Sequence, residues 1–394
     1  MAIWWKSWGF LIVATIFLIY IAGLQLDDQV ETSWLPKRLV IPWNFNSRAA
    51  EDPLLAILNS TEPPLKIATD GTPLNVTLPS LSFATQSPHL NFCSPEPPGL
   101  VGPIRVWMDA PAFEEIETLY PQLQAGGHGQ PADCKARHRV AIIVAYRDRE
   151  EHLRIFLHNL HGVLQKQQLD YSIFIVEQIA NQTFNRAKLF NVGYVETNRL
   201  YDWGCMIFHD IDLLPEDDRN LYSCPDQPRH MSVAVDKFGY KLPYGSIFGG
   251  VSALTKQQYL KMNGFSNDYW GWGGEDDDAS NRVSYAGFQI SRYPLKIARY
   301  KMVSSEEMNE SDRPLFRSNT EPRAAATRST SECRYKLMRL TKLRYRSDGL
   351  SSLVGGYSVL SVDRRPLYTR IFVDLLEEKS KAKMRKESFN FRHC

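Results

Sequence analysis

The sequence has almost no net charge, with 46 Lys and Arg against 44 Asp and Glu in 394 residues. Without a global basic field, nucleic acid is excluded as a partner drawn by charge alone. Between Asp27 and about Leu90 it also lacks any sustained apolar period, and eight prolines from Pro36 to Pro88 crowd in with Ser, Thr and Asn. Such a stretch buries too little surface to offset its ordering entropy, which excludes a packed domain and leaves a flexible stem over 25–90. Cysteines are few: Cys93, Cys134, Cys205, Cys224, Cys333 and Cys394. The sequence by itself leaves their pairing open.

What is present begins at the N-terminus, where Trp8 to Leu24 is apolar and uncharged, preceded by Lys6 and followed by Asp27 and Asp28. Seventeen residues rising about 1.5 Å each reach about 25 Å, the low end for a bilayer crossing. Positive charge before the run and acids after it place residues 1–7 in the cytosol and 8–24 in the membrane as a signal anchor. A cleaved signal peptide is the alternative, although Gln25-Leu26-Asp27 makes a poor small-residue cleavage site. In both cases the remainder is lumenal or extracellular, where thiols pair. Sequons at Asn59, Asn75, Asn181 and Asn309 fit that compartment, although such tripeptides also occur by chance.

Order is expected from Cys93. Val140 to Ala145 is a continuous apolar run of the kind buried on both faces of a parallel sheet. Leu153, Leu157, Leu160 and Leu164 then recur at helical spacing. Tyr171 to Val176, a helical stretch around Phe184 to Val192, and Cys205 to Asp210 continue the alternation. Strand, helix, strand, helix, strand predicts an α/β fold with right-handed crossovers, in a single catalytic domain over 91–375. Ligands of such sheets lie beyond the strands' carboxyl ends, where Arg147, Arg149, Asp210 and Asp212 fall.

The densest chemistry lies in Trp270-Gly-Trp272-Gly-Gly-Glu275-Asp276-Asp277-Asp278. Adjacent carboxylates repel by about 1 kcal/mol or more per close pair even near water, so a run of four needs a reason. An acidic helix start is the plain one. The flanking glycines and tryptophans favour an active site, since glycine lets backbone approach a ligand, indole stacks, and clustered acids supply a general base. Asp210 and Asp212 are two apart, so in extended chain they face one way and can address one hard cation; a solvated strand end is the alternative.

With Arg147-Asp-Arg149-Glu-Glu-His152-Leu, Phe184-Asn-Arg-Ala-Lys-Leu, Asp210-Ile-Asp212, Phe248-Gly-Gly-Val-Ser-Ala-Leu254, Asn263-Gly-Phe, the acid cluster and Ser347-Asp-Gly-Leu350, the chain from Cys93 to Asp374 resembles the β-1,4-galactosyltransferase family. The resemblance implies a type II Golgi membrane enzyme with the Rossmann-like glycosyltransferase-A fold. Such enzymes move a sugar from a UDP donor to a terminal sugar hydroxyl, with inversion and Mn²⁺. It assigns Arg147, Arg149, Phe184 and Arg186 to the uridine side, and Asp212 to the metal beside Asp210. Trp272 goes to the donor phosphates and their closing loop, Asp276 to the base, and Glu275 and Asp277 to sugar hydroxyls. Arg334 and Tyr335 fall at acceptor-pocket positions. It also implies bridges Cys93–Cys134 and Cys205–Cys224, leaving Cys333 and Cys394 over.

Two departures from the family pattern bear on chemistry. Ile247 stands where galactose-transferring members carry tyrosine, and an aliphatic residue leaves room for an N-acetyl group. This favours UDP-GalNAc over UDP-galactose as donor, with terminal β-N-acetylglucosamine as acceptor; simple core packing of Ile247 is the alternative. Met302 is retained as a metal ligand, but Ser305 replaces the family histidine and is a poorer donor. Glu306 or Glu307 is a candidate substitute. A glycan-binding or chaperone-like protein that keeps the fold but has lost its metal is the competing reading from another class. The polar stretch Asn309 to Ser331 reads as a long loop, and the charged end 376–394 as a solvated tail.

Overall fold

The computed structural model describes Gln86, residues 89–303 and residues 323–387, excluding the side chains of 323–332 and 387. The anchor 8–24, nearly all of the stem, Asn59, Asn75, Ser305, Glu306, Glu307, Asn309 and Cys394 lie outside the described residues. Among those described, no helix is long and apolar enough to cross a membrane. In chain order the elements are α1 (Phe113–Leu119), β1 (Arg139–Tyr146), α2 (Glu150–Lys166), β2 (Asp170–Gln178), α3 (Arg186–Leu200), β3 (Cys205–His209), β4 (Leu213–Pro215), β5 (Arg229–His230) and β6 (Ala234–Val235). There follow β7 (Val251–Thr255), α4 (Lys256–Lys261), α5 (Glu275–Tyr285), β8 (Arg299–Met302), α6 (Arg323–Arg344), β9 (Ser358–Arg364), β10 (Thr369–Asp374) and α7 (Glu377–Glu387).

A seven-stranded sheet runs β5-β7-β3-β1-β2-β10-β9. The centre is parallel, β1 lying between β2 and β3 and β2 also pairing with β10, while β7 and β9 are antiparallel edges of that core. β1 tolerates a continuous apolar run because both of its faces are covered: Ile143 and Ala141 pack toward α3, and Ile142 and Val144 toward α2. The four periodic leucines of α2 are all buried, as their spacing predicts. α3 starts at Arg186 because Asn185 caps it, its side chain accepting from the Lys188 backbone N–H at 2.9 Å. A three-stranded sheet, β4-β8-β6, sets Leu213 opposite Met302.

Both bridges expected from the resemblance form, Cys93–Cys134 and Cys205–Cys224, and Cys333 is also disulfide-bonded. Loops of 41 and 19 residues are closed by the first two, each constraining the unfolded chain by about 3–4 kcal/mol in the loop-entropy account. Gln86, inside the expected stem, is already tied down, donating to the Pro131 and Cys134 carbonyls at 2.8 and 2.9 Å.

Two expectations are corrected. The stretch expected to be loop up to Ser331 is helical from Arg323, where consecutive alanines favour a helix. The tail expected to be a solvated end is helical over Glu377–Glu387, with Glu377 and Met384 buried. Met384 packs with Tyr269 and Leu337, giving this charged helix one apolar anchor.

Buried neutral histidines make the fold acid-sensitive. His161 is held between the Tyr171 hydroxyl at 2.9 Å and the Leu367 carbonyl at 2.9 Å, and burial pulls its pKa from 6.5 to about 4. His230, bonded to the Gly249 carbonyl, is pulled by burial to about 3. The unfolded chain therefore binds these protons more tightly. The stability they contribute is complete above about pH 6.5 and drains as pH falls toward the folded values. Thermal melts from pH 7.5 to 4.5 should show a falling midpoint, and His161→Gln should flatten that dependence. An equal slope in the two proteins contradicts this account.

Candidate active site

Arg186 is the hub. Its Nε donates to Asp210 Oδ1 at 2.5 Å, its Nη1 lies 3.6 Å from Glu275 Oε1, and its Nη2 donates to the Gly250 carbonyl at 3.3 Å. One guanidinium thus joins the first turn of α3, the carboxyl end of β3, the start of α5 and the loop before β7. Burial raises the Asp210 carboxyl to about 6, against the opposing pull of Arg186. Burial likewise raises Glu275, with Asp276 adding repulsion. The four acids form the first turn of α5, so the helix-start reading holds and is compatible with a role in an active site. Their backbone N–H groups and the helix dipole offset part of the mutual repulsion.

Gly274 leads into that turn at φ 89°, a left-handed conformation that suits glycine. Gly249 faces the acids directly: a Cβ there would lie 2.5 Å from Asp276 Oδ2. Tyr244, which sequence patterning does not single out, donates its hydroxyl to Asp277 Oδ1 at 2.9 Å. Only its place in the loop before Phe248-Gly249 could have flagged it. Ile247 is half-buried in the same loop, its carbonyl accepting from Arg292 at 2.7 Å. Asp278 turns away from this group to a buried network, with Arg282 Nε at 2.5 Å and the Thr341 hydroxyl at 2.5 Å.

On the other side of Arg186, the Arg147 guanidinium lies 5.2 Å from the centre of the Phe184 ring, and its Nη1 donates to the Gln182 carbonyl at 2.6 Å. Phe184 in turn accepts from the Gly271 N–H at 2.7 Å, connecting this side to the glycine loop. Trp272 is 90% exposed in that loop. Arg334 donates to the Trp270 carbonyl at 3.2 Å, and Tyr335 beside it is exposed. Asn181 is exposed and accessible to modification.

Pairing of β4 with β8 brings Asp212 beside Met302, with the Val303 N–H donating to the Asp212 carbonyl at 2.8 Å. The Asp212 carboxylate is one-quarter exposed and makes a loose contact at 3.5 Å to Arg149. The carboxylate of Asp212 and the thioether of Met302, one residue out of register across this pairing, are donor types that a divalent-metal site can use. Among the described residues no group of three or more His, Cys, Asp and Glu completes one. Ser305, Glu306 and Glu307, where the remaining donors are expected, lie beyond Val303.

Residues 93–225 match the family model for the N-terminal region of glycosyl transferase group 7, and 229–306 the model described as the N-terminal domain of galactosyltransferase. β-1,4-Galactosyltransferase 3 of Cricetulus griseus is 46% identical over 299 residues, covering 75% of this chain and 71% of its own. The chain belongs to the β-1,4-galactosyltransferase family. β-1,4-Galactosyltransferase 1 of Mus musculus is 45% identical over 313 residues, covering 78% of this chain and 73% of that one. A solved Drosophila β-1,4-galactosyltransferase 7 catalytic domain in complex with xylobiose is similar at 28% identity and TM-score 0.46, covering 60% of this chain and 94% of that one. As a member of this family the chain is a hexosyltransferase, and the carboxylates gathered around Arg186 are its candidate catalytic group.

Proposed function

We propose that this galactosyltransferase-family enzyme transfers N-acetylgalactosamine from UDP-GalNAc, with inversion, to the 4-hydroxyl of terminal β-N-acetylglucosamine on glycoproteins or glycolipids. The observation that carries the reaction type is the placement of Asp276 against Gly249, within electrostatic reach of Arg186 and Asp210. Single displacement at an anomeric carbon needs a base on the acceptor hydroxyl and stabilisation of the departing diphosphate. In this reading Asp276 takes the acceptor proton, while Glu275 and Asp277, the latter steadied by Tyr244, orient sugar hydroxyls. Arg147 and Phe184 hold the uridine, and Arg149, beyond the end of β1, and Arg186, at the start of α3, face the nucleotide. Asp212 and Met302 would hold Mn²⁺, which when bound neutralises diphosphate charge. Trp272 on its glycine loop is placed to close over the donor and exclude water. The enzyme would sit in the Golgi membrane as a single-pass type II protein with its catalytic domain in the lumen.

Donor choice rests on Ile247, which shares a loop with Gly249 and so flanks the acid cluster. The test is turnover by the full-length chain in detergent with Mn²⁺, a β-N-acetylglucosaminide and each UDP-sugar. UDP-GalNAc should be the better donor. Ile247→Tyr should shift the kcat/KM ratio toward UDP-galactose by about 10-fold or more, the scale at which one crowded substituent discriminates. UDP-galactose turning over faster with the wild-type chain makes it a galactosyltransferase instead. Failure to bind either UDP-sugar or Mn²⁺ by calorimetry favours the glycan-binding alternative.

A further inference from the structure

The turn from β10 into α7 grips the nucleotide side of the site from behind. Glu377 is 8% exposed, and its Oε2 accepts from the Thr183 N–H at 2.7 Å while Oε1 pairs with Lys381 at 2.6 Å. Gln182 donates its side-chain amide to Asp374 Oδ1 at 2.7 Å, and its Oε1 accepts from the Leu375 N–H at 3.3 Å. Residues 182 and 183 are therefore fixed by the chain end, through backbone and side chain together. The same two residues carry the donor-side groups. The Gln182 carbonyl is the acceptor for Arg147, and Phe184, next in sequence to Thr183, supports the Arg147 guanidinium on its ring and the Gly271 N–H on its carbonyl. Ser380, one turn along α7, accepts from Lys188 at 2.6 Å, tying the same helix to the first turn of α3 that bears Arg186.

We propose that the Asp374–Glu377 turn is a positioning element for the donor nucleotide, with Glu377 and Gln182 as its positioning residues. A carboxylate accepting from a backbone N–H in a buried setting makes a strong, directional tether. It sets the height of Phe184 and hence the plane of Arg147, on which a nucleotide base would stack. The inference rests on the reading of Arg147 and Phe184 as the uridine side.

The test uses the full-length chain and separates donor from acceptor. Glu377→Ala should raise the UDP-sugar KM and the calorimetric Kd for UDP by about 3- to 30-fold, the span of coupling through one contact, with the acceptor KM unchanged. Glu377→Gln should recover most of the loss, because its amide oxygen still accepts from Thr183. Gln182→Ala should act in the same direction and serves as the second probe if Glu377→Ala folds poorly. Lys386→Ala, exposed on the same helix, should leave every constant unchanged. Glu377→Ala and Gln182→Ala binding UDP as tightly as the wild type, or raising both substrates' KM equally, overturns the proposal. Absence of UDP binding by the wild-type chain overturns the donor-side reading as well.

Discussion

Asp276→Asn is expected to cut transfer by about two to four orders of magnitude, the contribution of a positioned general base, while UDP binding and the melting temperature stay near wild type. The amide keeps the shape and one acceptor oxygen but does not take a proton. Asp276→Glu should not rescue it. The carboxylate already lies against Gly249 so closely that one added carbon on that glycine would meet it at 2.5 Å, which leaves a longer acid no place to reach the same point. Steady-state kinetics at saturating donor, with a calorimetric titration of UDP, separate the chemical step from binding. Residual activity above about a tenth of wild type would move the base elsewhere, with Glu275 the next candidate.

Arg282→Met is expected to remove about 3–5 kcal/mol of stability, the cost of breaking a buried ion cluster by deleting one partner. Arg282 is fully buried, its Nε bonded to Asp278 Oδ2 at 2.5 Å, its Nη2 to Asp348 Oδ2 at 3.1 Å and its Nη1 to the Asp348 carbonyl at 2.7 Å. Arg344 reaches Asp268 and Asp348 from the end of α6, and Thr341 bonds Asp278 from the same helix. Without Arg282, Asp278 and Asp348 lose the cation they share inside the protein. A domain holds a total of about 5–15 kcal/mol, so a loss of this size consumes a large part of it. Urea unfolding should show a lower midpoint at constant slope. Activity per folded molecule should also fall, because the cluster joins α6 to the first turn of α5. A midpoint within measurement error of wild type would mean the cluster contributes nothing net.

Much of this could be read from residue order. The apolar runs at Val140, Tyr171 and Cys205 become β1, β2 and β3 because a central parallel strand buries both faces and leaves no room for a polar period. β7 and β10 are not marked in the same way, since Val251–Thr255 is only five residues long with Ser252 and Thr255 in it, and Thr369–Asp374 alternates buried and half-buried positions. The Trp270 to Asp278 stretch announces itself because four acids framed by glycine and tryptophan are costly without a task. The helical course of 323–331 was hidden by polar residues that suit a loop and a helix equally.

Residue types and local order alone determined which side chains this protein has for its chemistry: a cluster of four acids, an Asp-x-Asp strand end, arginines after buried strands, and an aliphatic at position 247. Tertiary structure decided how they are held. That Arg186 bridges Asp210 and Glu275, that Gly249 faces Asp276, that Asp278 belongs to a structural cluster instead of the substrate, and that the chain end grips residues 182 and 183 all depend on contacts between residues 24 to 194 positions apart. No local pattern encodes such contacts, because the packing of the sheet and its helices brings those side chains within bonding distance.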